Sequence, residues 1–104
     1  MKEVYQLFKK RGFWETLTIL GAFKDGEAVQ KEFFREFETR DSYYNAFLRV
    51  KDYLIEHDLI SFKCKRDGTK VIYLTDKGYF VLGKLKDIED VIEKEKPINE
   101  IEEE

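Results

Sequence analysis

The chain has 104 residues, 42% of them hydrophobic and 39% charged, with a net charge of −3. That length makes one domain, expected over residues 1–96, with a core that needs no covalent staples. A single cysteine and a single histidine exclude an intrachain disulfide and a Cys/His metal centre, and no apolar run approaches the roughly 20 residues of a membrane span.

Met1-Lys2-Glu3 opens no signal peptide, so the expectation is a soluble, cytoplasmic protein without metal or cofactor. Lys and Glu are abundant while Gln, Asn, Met and Cys are scarce, a bias that resembles thermophilic proteins. Val4, Leu7 and Phe8 predict a short helix over Lys2 to Lys10, interrupted at Gly12. Phe13, Trp14, Leu17, Leu20 and Phe23 then recur at helical steps, with Ile19 on another side, which predicts a central helix. Lys24-Asp25-Gly26 is its stop. Val29, Phe33, Phe34 and Phe37 predict an amphipathic helix over Ala28 to Phe37. The polar break Thr39 to Ser42 offers Asp41 or Ser42 as the cap of a third helix, Tyr43 to His57. Its stripe is Tyr43, Phe47, Val50 and Leu54.

Leu59 to Lys65 and Lys70 to Leu74 alternate around Asp67-Gly68, a strong hairpin signal. A three-residue loop with Gly68 left-handed pairs even positions with even. Ile60, Phe62, Cys64, Ile72 and Leu74 then share the inward face, with Cys64 as a small core residue. Ser61, Lys63, Lys65, Val71 and Tyr73 share the other. Thr75 caps a last helix, about 76–95, with Asp76 near its positive end. Its stripe is Val81, Leu85, Ile88 and Ile92, widened by Leu82 and Val91.

Charge is unevenly spread. Met1 to Lys86 carries seventeen Lys and Arg against thirteen Asp and Glu, or +4; Asp87 to Glu104 carries two against nine, or −7. Residues 97–104 read as an acidic, disordered tail; a tail that competes for the basic face is the sharper alternative.

The fold class expected is mainly α with a small β-hairpin (α+β): a three-helix core over about 13–75, then the hairpin's closing helix. Two zones point to double-stranded DNA. On the third helix, with the apolar stripe inward, Ser42, Asn45 and Arg49 point outward near the start, and Arg40 and Tyr44 flank them. Asn can bond adenine and Arg can bond guanine in two places. Asp52 and Glu56 share that outer face and would repel phosphate, which confines base contact to the first turns. On the hairpin, Lys63, Lys65, Arg66 and Lys70 stand against one acid, Asp67, a strip suited to phosphates or a minor groove.

Asp58-Leu59-Ile60, the basic hairpin, and Tyr73-Leu74-Thr75-Asp76-Lys77-Gly78 resemble the winged helix-turn-helix regulators of the MarR, ArsR and PadR kind. In that superfamily the third helix ends near a Gly-Leu-Ile/Val step, and the wing closes on a Tyr-Leu-Thr-x-Lys-Gly pattern. The resemblance covers about Phe13 to Leu85. It implies a short strand near Glu27 to Val29, a transcription regulator with helix 43–57 in the major groove and wing 61–73 on the backbone or minor groove, and, as in small archaeal members, a homodimer through the last helix. Val81, Leu82, Leu85, Ile88 and Ile92 are the dimer candidates; folding back on Val4, Leu7 and Phe8 is the other use of that stripe. The chain departs from the pattern at Asp58, where Gly is usual, and in its acidic overall balance. No catalytic motif is present, so an enzyme is not expected. The rival reading is a winged helix that binds protein instead of DNA; a ligand pocket between subunits near Trp14, Tyr5 and Tyr79 is a third.

Overall fold

A computed structural model describes residues 6, 8–39 and 44–94. They form a mainly helical α+β unit. Helix α1 spans Arg11–Ala22, and a turn at Lys24–Gly26 leads to strand β1, Glu27–Val29. Helix α2 (Gln30–Thr39) and helix α3 (Tyr44–Glu56) follow, then strands β2 (Ile60–Cys64) and β3 (Lys70–Leu74) and helix α4 (Asp76–Glu93). The sheet is antiparallel in the order β1-β3-β2.

Helix α1 is the centre of the core. Phe13, Thr16, Leu17, Ile19 and Leu20 are all buried along it, more of its circumference than one amphipathic stripe covers. Gly12 does not interrupt this helix, contrary to the expectation from its low propensity. The break falls two residues earlier, at Lys10, whose backbone is extended. Gly12 is buried inside α1, and a Cβ there would overlap the Ala46 carbonyl oxygen of α3. Its role is close approach of two helices. Of the expected helix before it, Gln6, Phe8 and Lys9 are helical; Lys2 to Tyr5 and Leu7 lie outside the described residues.

Helix α2 packs an aromatic cluster against α3. The Phe33 ring lies 5.1 Å from Phe47 and 5.3 Å from Phe37, and Phe34 lies 5.8 Å from Phe47. Tilted and edge-on pairs of this kind add about 0.5–1.5 kcal/mol each beyond area burial. The start of α2 departs from the periodicity reading. Ala28 and Val29 belong to β1, opposite Ile72 and Val71. Three residues are too short for alternation to stand out against a following helix, and pairing with β3 decides the matter. The strand implied by the resemblance is present.

The hairpin follows its expected register, with Ile60 opposite Leu74, Phe62 opposite Ile72 and Cys64 opposite Lys70. Lys65 N–H donates to the Thr69 carbonyl, and Gly68 N–H donates to the Lys65 carbonyl, both at 2.9 Å. Arg66, Asp67 and Gly68 therefore form a three-residue loop. Gly68 has φ +87°, a conformation most side chains resist.

Two hairpin residues differ from expectation. Cys64 is exposed, not a core residue. Alternation assigns it the correct face, but the hairpin runs beyond the helices that cover that face at Ile60 and Ile72. Val71, assigned to the outer face, is buried. It sits on the central strand between Val29 and Lys63, and the Lys63 side chain crosses β3 to reach Glu27 Oε1 at 3.1 Å.

The junction of α3, β2 and α4 is built from local chemistry. Leu59 N–H donates to the Leu54 carbonyl and Asp58 N–H to the Ile55 carbonyl, the paired bonds of a Schellman ending. Asp58 supplies the left-handed residue, with φ +59°. Thr75 then ties this turn to α4. Its N–H donates to the Leu59 carbonyl, its hydroxyl donates to the Asp58 carbonyl, and its Oγ1 accepts from Gly78 N–H at 2.9 Å. A side chain at Gly78 would overlap the Leu59 carbonyl oxygen. The Thr-x-x-Gly spacing thus has a physical reason: the threonine caps, and the glycine lets the capped turn touch the strand beside it.

Candidate nucleic-acid interface

Helix α3 is anchored on its inner side by Ala46, Phe47, Val50 and Leu54, all buried. Asn45 and Arg49 consequently emerge exposed near its start. Arg40, Asp41, Ser42 and Tyr43 lie outside the described residues, and Tyr44 enters only as the first residue of α3. The outer face continues with Asp52 and Glu56, both exposed. It also carries Leu48 and Ile55, 43% and 41% exposed. Those two were missed in the sequence reading. They are seven residues apart, two helical turns, so their alignment was legible once the buried stripe was set.

The hairpin presents Lys65, Arg66 and Lys70, all exposed. Lys63 is differently placed. Its Nζ pairs with Glu27 Oε1 at 3.1 Å and stands 5.2 Å from the Tyr73 ring centroid. Both partners of that ion pair are substantially exposed, so the pair is worth no more than about 1 kcal/mol, and an incoming phosphate can compete for the ammonium. Asp67, the acid at the tip, accepts from Thr69 N–H at 2.9 Å. Hydrogen bonds from the Thr69 side chain and backbone hold its carboxyl below the ordinary value of 3.8. It is ionised at neutral pH and serves the turn.

Between the flank of α3 and the inward face of the hairpin lies an open groove of about 470 Å³. Phe34, Phe47, Leu48, Ile55 and Phe62 make it apolar; Gln30, Lys51, Lys63, Cys64 and Lys70 complete its lining. No Asp or Glu is among these ten. Lys51 Nζ stands 6.0 Å from the Phe62 ring centroid, at the range of a cation–π contact. The groove exists because β2 and β3 overhang the helices. The same overhang leaves Cys64 exposed.

Helix α4 is divided. Leu82 belongs to the core and packs beside Gly21 of α1, so it is not on a free face, contrary to its reading as a dimer contact. Val81 and Leu85 are half-buried against the same core. Ile88, Val91 and Ile92 are exposed, Ile92 at 75%, as are Tyr79 and Phe80. An open cleft of about 290 Å³ runs between Trp14 and the Leu85–Glu93 stretch.

Among the described residues no group of three or more His, Cys, Asp or Glu is placed to hold a metal ion. Among them no helix is long and apolar enough to cross a membrane. Comparison with protein-family models, curated proteins and solved structures found no match.

Proposed function

We propose that this chain is a winged-helix protein that binds double-stranded DNA in a sequence-specific manner, acting as a homodimeric transcription regulator. The observation that supports this most is the order of elements together with the sheet order β1-β3-β2. That arrangement sets the polar start of α3 beside a hairpin bearing Lys65, Arg66 and Lys70. In this reading Asn45 and Arg49 contact base edges in a major groove. The hairpin lies on phosphates or in the neighbouring minor groove. Asp52 and Glu56 stay outside the groove, so the helix enters by its first turns.

The exposed Ile88, Val91 and Ile92 support a dimer through the second half of α4. Two-fold symmetry would then offer two α3 helices to half-sites about 34–36 Å apart. Ile88→Asp with Ile92→Asp yields a folded monomer by light scattering in this reading; an unchanged dimer mass rejects the interface. The structure guides the choice of these two, because Leu85 also packs on the protomer's own core.

Selection of genomic fragments with the purified protein tests the function directly. The expected result is an enriched sequence bound at submicromolar concentration in low salt, weakening steeply as salt rises. Failure to retain any duplex at low salt would sink the DNA reading. One observation favours a second reading, contact with protein through the same face: Leu48, Ile55 and Phe62 make part of it apolar.

A further inference from the structure

The cationic run Lys9-Lys10-Arg11 leads into α1 and takes no part in the two zones of the DNA reading. Its middle residue sits against α3. The Lys10 backbone is extended, and its Nζ stands 4.9 Å from the centroid of the Tyr53 ring. Two residues on, Gly12 lies so close to α3 that a Cβ there would overlap the Ala46 carbonyl oxygen. The start of α1 is therefore fixed to one flank of α3. At about 100° per residue, with Phe47, Val50 and Leu54 inward, Ala46 and Tyr53 fall on one side of the helix and Leu48 and Ile55 on the other. The hairpin stands on the Leu48 side, where Leu48, Ile55, Phe62 and Lys70 line one groove. The outer face that carries Asn45 and Arg49 is thus bracketed, by the hairpin on one flank and by Lys10 on the other.

We propose that Lys10 and Tyr53 form a second phosphate site, which takes the DNA strand on the side of α3 away from the hairpin. The inference rests on the DNA reading. A helix with its side chains is about 10–12 Å across and a major groove about 12 Å wide, so a helix seated there has a phosphate strand along each flank. The hairpin reaches one strand, and Lys10 is placed for the other. Its charge is available. Among the described residues Lys10 is in no ion pair, and contact with a ring face leaves the ammonium positive. Lys63 is the contrasting case, with its ammonium beside Glu27. Tyr53 is 36% exposed, and a tyrosine hydroxyl donates readily to phosphate oxygens. The position matters for a second reason. Asp52 and Glu56 share the outer face next to Tyr53 and repel phosphate where α3 leaves the groove; a cation on this flank offsets them.

The test is binding of a duplex enriched from genomic fragments and of an unrelated duplex, each followed by fluorescence anisotropy across a range of salt. Lys10→Ala should weaken both duplexes severalfold, by similar factors, and lower the log–log salt slope by about one. Lys10→Arg should restore both. Tyr53→Phe keeps the ring under the ammonium and removes the hydroxyl, so it should weaken binding with the slope unchanged. Phosphate-ethylation interference then locates the contact. Lys10→Ala should relieve interference on the strand opposite to the one relieved by Lys65→Ala with Lys70→Ala; relief on the same strand rejects the placement. If the wild-type chain binds, the hairpin variant weakens and Lys10→Ala matches wild type, the second site is absent while the DNA reading stands. If Lys10→Ala weakens binding with an unchanged slope and a lower unfolding midpoint in denaturant, Lys10 supports the packing of α3 and holds no phosphate. If the wild-type chain retains no duplex at low salt, the DNA reading fails and this site falls with it.

Discussion

The hairpin and the outer face of α3 stand side by side, yet their chemistry differs. The hairpin tip is short and basic, with a single acid at Asp67 occupied by its own turn. The outer face of α3 changes along its length, from Asn45 and Arg49 to Leu48, Asp52, Ile55 and Glu56. A uniform basic strip attracts any polyanion and distinguishes little among sequences. A mixed face distinguishes partners but is suited to anions over only part of its length. The contrast explains why the proposed DNA contact divides into a backbone zone and a short base-reading zone, and why an apolar groove lies between them.

The largest expected effect tests how thin the outer face of α3 is. Phe47→Ala should cost about 3–5 kcal/mol in denaturant unfolding, because its ring is buried against three others. Leu48→Ser, one residue further along, should change stability by less than about 1 kcal/mol. A comparable loss at Leu48 would mean that the groove floor belongs to the core and that the contrast is wrong. Next come the two binding zones. Lys65→Ala with Lys70→Ala should weaken all duplexes about equally and flatten the log–log salt slope by about two units. Arg49→Ala should remove about 1–3 kcal/mol of discrimination at one base pair and leave non-specific binding nearly unchanged. If both variants behaved alike in competition binding, the division into two zones would fail.

The smallest effect concerns the tip. The folded carboxyl of Asp67 titrates below its ordinary value, so its ionised form supports the turn. That support is full above the ordinary value of 3.8 and is lost as pH falls through the lowered one. An NMR titration of Asp67 should place its midpoint below that of Asp67 in an unfolded peptide. A midpoint at or above the peptide's would remove the turn bond from the account.

Much of the fold was legible from residues a few positions apart. Asp67-Gly68 with its alternating flanks specified a loop of three and hence the register. Thr75 announced a capped helix start. Asp58 stands where the resemblance expects glycine, and it takes the left-handed conformation there. Each is a local bond pattern whose donors, acceptors and backbone angles lie within a few residues. The two candidate zones were legible for a related reason, since exposed polar residues on a helix can be placed once its buried stripe is known. The groove was harder to see, because its lining is drawn from α2, α3, β2 and β3.

By itself, then, the sequence determined most of the helices, the hairpin with its register and the Thr75 cap, because those follow from nearest-neighbour geometry. Tertiary structure alone decided where burial stops. It exposed Cys64 on an inward-facing strand position and buried Val71 on an outward-facing one. It used Gly12 for helix contact instead of a break, turned Ala28 and Val29 into a strand, and drew Leu82 into the core while Ile88 and Ile92 stayed bare. The reason is common to all five cases: periodicity says which way a side chain points, but only the packing of distant elements says whether anything lies there to cover it.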